Sequence, residues 1–275
     1  MRILYATDGS PQARAAGQLL GGLHLAPGDE ITVLVVASGE GVDAEGALRA
    51  AWEDLSTTTA TLAALAREGY PDEEILKAAA ELPSDLLTMG ARGASGLARF
   101  LLGGVAARVM RYATCSVLLA RPEKTAIRRV ILAFDGTESA KAAAARLLDF
   151  PLAPDAEVLL VGVLPPLDPA VPRREPVYVS PGIAETVVLR ELSALKEAFR
   201  ASGRQVAVQT PRGNPAARLL ECAERENVDL MVVGAHGSSL AERFHRFLLG
   251  SVSEKVARYA PCSVLVVKQP GDVPS

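Results

Sequence analysis

The segment GARGASGLARFLLGG, Gly90 to Gly104, joins an apolar run, DLLTM, to VAARVMRYA, which has helical spacing. It carries five glycines, two arginines and no acid. Glycine lets the backbone approach an anion closely and turn a nest of N–H donors toward it. The free N–H groups and positive dipole end of a following helix add to the same field. Phosphate chemistry is therefore the first expectation, with Arg92, between Ala91 and Gly93, the better placed of the two cations. A second glycine loop, GAHGSSLAERFHRFLLGS, runs from Gly234 to Ser251, with His236, His245, Arg243 and Arg246 in it. Taken singly, these four and Arg99 suit a solvated loop face. Asp8 and Asp135 stand in matching turns, ATDGS and AFDGTES. Neither turn supplies the glycine fingerprint of a dinucleotide fold, and the chain has no G-x-x-x-x-G-K-[ST] loop.

The loops match because the chain is written twice. RYATCSVLLAR at Arg111 returns as RYAPCSVLVVK at Arg258, and RFLLGG at Arg99 as RFLLGS at Arg246, both at an offset of 147. DLLTMGARG at Asp85 returns as DLMVVGAHG at Asp229 at an offset of 144, and the aspartates Asp8 and Asp135 are 127 apart. Copy two thus gains about 17 residues between its first strand and RGNP, and three in its glycine loop. The first gain is assigned to the proline-rich stretch Pro165 to Gly182, read as a surface excursion. Two domains follow, 1–124 and 125–275, joined by a short polar link.

Each copy alternates strand and helix. RILYATD, EITVLVVAS, DLLTMG and CSVLLAR read as strands, with helical spacing between them. TTTATLAALA would suit a helix by composition, but its counterpart RQVAVQT alternates as a strand, so both are assigned as strands. Five strands alternating with helices predict an α/β fold. In each domain a doubly wound, Rossmann-like, five-stranded parallel sheet carries helices on both faces. Ligands of such sheets bind beyond the carboxyl ends of the strands where strand order reverses. Strands one and four meet there, bringing Asp8, the glycine loop and the start of helix four to one crevice.

Composition narrows the function. Hydrophobic residues make up 49% and charged residues 22%, enough for sizeable cores. A net charge of −3 and pI of 5.8 argue against a nucleic-acid or anionic-membrane surface. No apolar run approaches the roughly 18 residues of a membrane helix, and the first residues lack a signal core. Cys115, Cys222 and Cys262 are too scattered for a disulfide framework or a zinc site. A cytoplasmic protein is expected.

The G-x2-G-x9-G spacing after strand four, the aspartate ending strand one and the closing APCSVLVV together resemble the universal stress proteins over essentially the whole chain. The resemblance implies the adenine nucleotide alpha-hydrolase-like fold and bound ATP, with Mg2+ or Mn2+ on the phosphates. It places Asp8 and Val36 at the adenine end of copy one, with Gly90, Gly93, Gly103 and Gly104 along ribose and phosphates. In copy two it places Asp135, Val163, Gly234, Gly237, Gly250 and Ser251. Copy one has Gly104 where the family has Ser or Thr, and copy two spaces its glycines by twelve residues. The resemblance also implies an intramolecular pseudo-dimer with the last strands near its interface, with further pairing of chains left open. No positioned base or nucleophile can be named, so the expected role is regulatory, with ATP as ligand. The alternative is an enzyme: a slow ATPase, a self-phosphorylating protein or a nucleotidyl transferase of related fold.

Overall fold

The computed structural model describes residues 1–37, 43–92, 102–121, 126–166, 181–236 and 249–269. In the first repeat the order is β1 (Arg2–Thr7), α1 (Pro11–Gly21), β2 (Glu30–Ala37), α2 (Ala44–Asp54), β3 (Thr61–Glu68), α3 (Pro71–Glu81), β4 (Leu86–Gly90), α4 (Gly104–Tyr112) and β5 (Ser116–Ala120). The second repeat gives β6 (Arg129–Ala133), α5 (Glu138–Leu148), β7 (Glu157–Val161), α6 (Pro181–Ala201), β8 (Gln205–Gln209), α7 (Pro215–Arg225), β9 (Leu230–Gly234), α8 (Ser251–Tyr259) and β10 (Ser263–Val267).

Strand order is 3-2-1-4-5 in the first repeat and the same, mirrored, in the second. The ten strands form one sheet, all neighbours parallel except β5 and β10, which pair antiparallel at its centre. Period-two alternation divides the side chains between two cores. Ile3 and Tyr5 face one side with the buried residues of α1, α2, α5 and α6. Leu4 and Ala6 face the other with those of α3, α4, α7 and α8. Central strands are covered on both faces, which is why DLLTM and CSVLLA read as unbroken apolar runs. The strand at the outer edge of the first repeat, β3, is largely exposed. It pairs with β2 residue for residue from Thr61 to Glu68 despite its helix-forming composition. Sheet pairing overrides local propensity there.

The extra residues of the second repeat are distributed differently from the sequence expectation. Helix α6 runs 21 residues against 11 for α2, so much of the added length is helical. The predicted excursion ends in Pro181 and Gly182, which already belong to the first turn of α6. Proline is tolerated there because its missing N–H would have no helical acceptor.

Candidate functional site

Each repeat opens its crevice with the same turn. After β1, Asp8 Oδ1 accepts from the Ser10 N–H at 3.0 Å, and Ser10 Oγ caps α1 by accepting from Ala13 N–H at 3.3 Å. After β6, Asp135 Oδ1 accepts from the Thr137 N–H at 3.1 Å and from its hydroxyl at 2.6 Å, while Thr137 Oγ1 caps α5. Gly9 and Gly136 supply the left-handed φ the turn demands, +74° and +80°. Both aspartates are exposed. Each carboxylate is thus held by one oxygen in the turn, with the other edge turned outward at the carboxyl end of the sheet.

Opposite each turn stands a helix N-terminus, brought there by a pinch in the chain. The Gly103 N–H donates to Ala91 O at 2.9 Å, and the Gly250 N–H to Ala235 O at 2.8 Å. Each glycine loop therefore leaves and returns at one point beside the end of β4 or β9. Gly103 and Gly250 are the N-caps of α4 and α8, with extended φ and ψ and no side-chain cap. The first N–H groups of each helix have no acceptor within it.

The second repeat holds a cavity of about 560 Å³ at this place. Asp135, Gly234, His236, Gly250 and Ser251 line it, together with Val163, just beyond the end of β7. Sequence reasoning had named all but one of these as site residues and His236 as a loop residue. It missed the outer wall: Pro165, Pro166, Glu185, Val188 and Gly213. An ion pair between Arg212 and Glu185 ties the start of α6 to the loop before α7, and Arg212 also donates to Pro165 O at 3.1 Å. The available signal was the jump in repeat offset, which puts the added residues between the first strand of the second repeat and RGNP, an interval that contains Val163.

In the first repeat Asp8 follows β1, Val36 is buried near the end of β2, Gly90 ends β4 with Arg92 half-buried just after it, and Gly103 and Gly104 open α4. The backbone of α2 comes closer here than α6 does in the second repeat. A Cβ on Gly9 would lie 3.1 Å from Ala47 Cα, whereas one on Gly136 would meet only side chains, Glu191 and Val188, at 3.3 Å or more. Gly93, Gly237, Arg99, Arg243, His245 and Arg246 lie outside the described residues.

The glycines ending β4 and β9 have a packing role as well. A Cβ on Gly90 would stand 2.6 Å from Gln12 O, and one on Gly234 2.7 Å from Ser139 O, so helices α1 and α5 rest directly on them. Ser139, buried in α5, also accepts the His236 N–H at 3.2 Å, and Ser253 of α8 donates to Gly234 O at 2.6 Å. None of the three cysteines is in a disulfide and all are buried, and burial pushes the Cys115 thiol up to about 11, an inert state. Among the described residues no cluster of three His, Cys, Asp or Glu could hold a metal, and no helix is long and apolar enough to cross a membrane.

The sequence model described as the universal stress protein family matches residues 1–121 and 126–268. A universal stress protein of Mycolicibacterium smegmatis is 28% identical over 195 residues, 67% of this chain and 62% of that protein. A Thermus aquaticus protein, "Universal stress protein in QAH/OAS sulfhydrylase 3'region", is 32% identical over 147 residues, 51% of this chain and 98% of its own length. The match spans less than two thirds of several curated relatives, 45% of one from Methanocaldococcus jannaschii. A crystal structure of a universal stress protein from Archaeoglobus fulgidus superimposes with a TM-score of 0.67, covering 97% of this chain and 98% of that one at 22% identity.

Proposed function

The chain belongs to the universal stress protein family, and on that premise we propose that it is an ATP-binding regulatory protein whose better-formed site lies in the second domain. The observation that carries this reading is the 560 Å³ cavity at the strand-order switch, where Asp135, Val163, Gly234, Gly250 and Ser251 converge. Its size falls within the range of small-ligand pockets. Its two ends differ in chemistry as a nucleotide's do. Val163, Leu164 and Val188 offer apolar contact to a base beside the carboxylate of Asp135. The α8 N-terminus, with Ser251 at its first position, offers N–H groups and a hydroxyl to phosphate.

The domains act as 1–124 and 125–275, each with its own crevice. The first lacks the hydroxyl at position 104 and carries α2 closer to its Asp8 turn, so its site is the weaker. Mg2+ or Mn2+ would ride on the phosphates and water, since the described residues offer no ligand cluster. Phosphoryl transfer needs a positioned base or water and an added cation at the outer phosphate, and the described walls of the cavity supply no such pair. The role we propose is binding, with a slow ATPase or self-phosphorylating enzyme, or a nucleotidyl transferase of related fold, as the competing reading.

Thermal denaturation and calorimetric titration test this. ATP with magnesium should raise the melting temperature more than AMP, because ligand bound to the folded state stabilises it by mass action. Titration should show a dominant site, lost in Asp135→Ala and little changed in Asp8→Ala. Equal shifts with AMP and ATP would remove the outer phosphates from the glycine loop. Turnover of about 1 per second or faster, the lower range of ordinary enzymes, would favour the enzyme.

A further inference from the structure

At the seam between the repeats, α4 and α8 flank the antiparallel β5–β10 pair on one face of the sheet. A cavity of about 320 Å³ opens between them. Leu102, Ala107 and Met110 give it an apolar side, and Arg108, Arg111 and Arg258 bring three guanidinium groups to it. One carboxylate faces them, Glu254, at 3.6 Å from Arg111 and 3.9 Å from Arg258. Both separations exceed hydrogen-bonding distance, so this carboxylate is shared loosely between two cations. Arg108 is drawn the other way, to Asp72 at 2.7 Å and Glu73 at 3.7 Å on α3.

The cavity lining includes a pair of positions that differ between the repeats. Ala107 and Glu254 are equivalent positions, 147 apart. On α8 the glutamate reaches across the seam to Arg111, while on α4 the alanine ends at its Cβ and leaves room. The two guanidiniums facing Glu254 are kept, since Arg111 and Arg258 are themselves equivalent, while Arg108 has Lys255 as its counterpart. Two equivalent arginines thus converge on a space that one carboxylate half-fills.

We propose that this seam is a binding site for a compact multivalent anion, carrying phosphoryl or carboxylate groups, held by Arg111 and Arg258 with Arg108 at the rim. The cavity has about ten times the ~30 Å³ share of a liquid water, room for a molecule of pyrophosphate or citrate size. Planar guanidiniums suit both groups, since each can present paired N–H donors. The ligand would take over the cationic contacts of Glu254 and bridge the two domains. Because Gly104 lines the same cavity, it would also lie against the first turn of the helix that closes the first domain's crevice.

The test is calorimetric titration of the full chain with pyrophosphate and, separately, citrate. Ala107→Glu places on α4 the residue α8 already tolerates, and should abolish seam binding by filling the space and adding a negative charge. Arg111→Gln and Arg258→Gln, both at partly exposed positions, should each weaken it about tenfold, the loss expected for charged hydrogen bonds. Ser251→Gly and Asp135→Ala should leave it unchanged, which separates this site from the nucleotide crevice. Binding of either probe with that pattern supports the proposal. No binding of either probe, or binding that responds to Ser251→Gly and ignores Ala107→Glu, would overturn it.

Discussion

Leu118 on β5 lies opposite Leu265 on β10, and the two are the same position of the two repeats, 147 residues apart. Their neighbours cross over accordingly: Val117 faces Val266 and Leu119 faces Val264. A local twofold axis therefore passes through the Leu118–Leu265 pair. The edge that either five-stranded sheet would leave open is closed by its own repeat. The relationship extends to side chains. The Arg121 N–H donates to Ser263 Oγ at 3.1 Å, and the Lys268 N–H to Ser116 Oγ at 3.2 Å. Arg121 then reaches the last carbonyls of α8, Ala257 O at 2.9 Å and Arg258 O at 3.2 Å. Lys268 does the same for α4, meeting Ala113 O at 2.7 Å and Arg111 O at 3.2 Å.

These two cations stabilise the seam in proportion to their burial. Arg121 is 3% exposed, whereas Lys268 is half-buried. Each caps a helix C-terminus, where positive charge is favourable. Arg121→Met should lower unfolding free energy by about 1–3 kcal/mol, from lost charged hydrogen bonds and unpaired carbonyls. Lys268→Met should cost less, since water can replace the ammonium. Urea unfolding of both variants measures the difference. Equal and negligible losses would mean that the strand pair alone joins the domains.

The glycines at the strand ends carry a second prediction. Gly90→Ala and Gly234→Ala drive a Cβ into the backbone of α1 and α5, so each should destabilise the fold by roughly 1–3 kcal/mol, as overpacking does. Gly104→Ala should be neutral or stabilising by about 0.5–1 kcal/mol. Its added Cβ meets nothing within 4 Å, its φ is not left-handed, and alanine is the better helix former. Thermal melts of the unliganded variants decide it. A Gly234→Ala protein as stable as wild type would leave ligand contact as the only reason for that glycine.

Alkaline pH should unfold the protein through two buried acids. Burial raises the Cys115 thiol from 9.0 to about 11 and the Tyr5 phenol from 10.0 to about 12. A raised folded-state value means the unfolded chain ionises first. The stabilisation is whole below pH 9 and is lost as pH climbs toward 11 for the thiol, and from 10 toward 12 for the phenol. At about 1.4 kcal/mol per unit, Cys115 alone contributes roughly 2–3 kcal/mol to this loss. Cys115→Ala should flatten the urea midpoint between pH 9 and 11 relative to wild type. Parallel curves for the two proteins would contradict the burial argument.

The sequence carried the fold because its strongest signals were redundant. TTTATLAALA was ambiguous alone and became a strand only through its partner RQVAVQT, and the sheet pairs it as one. Asp135, Gly250 and Ser251 were legible because each sits at a turn or helix start that a local pattern marks. Glu185 and Arg212 were not. Their pairing depends on where the lengthened α6 begins, which no periodicity within the insertion reveals. Gly90 and Gly234 were legible as glycines needed for close approach, but what approaches them includes a helix backbone that only the packed structure brings there. The seam clasp of Arg121 and Lys268 was equally out of reach, because a basic residue ending a strand has no sequence mark of its helix partner.

The repeats serve as each other's control at the start of helix four. Ser251 opens α8 with a hydroxyl and a backbone N–H, while Gly104 opens α4 with the N–H alone. A hydrogen bond to a charged group contributes about 1.5–3 kcal/mol, and the exposure of Ser251 pulls the value to the low end. Ser251→Gly should therefore weaken ATP binding in the second domain by roughly tenfold. AMP, whose single phosphate stops short of that point, should be nearly unaffected. Gly104→Ser should tighten the first domain by a similar or smaller factor, since the open space there admits the side chain without strain. Titrations of each variant, with the other crevice disabled by Asp8→Ala or Asp135→Ala, resolve the two sites. If Ser251→Gly changes AMP and ATP affinity alike, the hydroxyl does not meet the outer phosphates, and these do not lie at the start of α8.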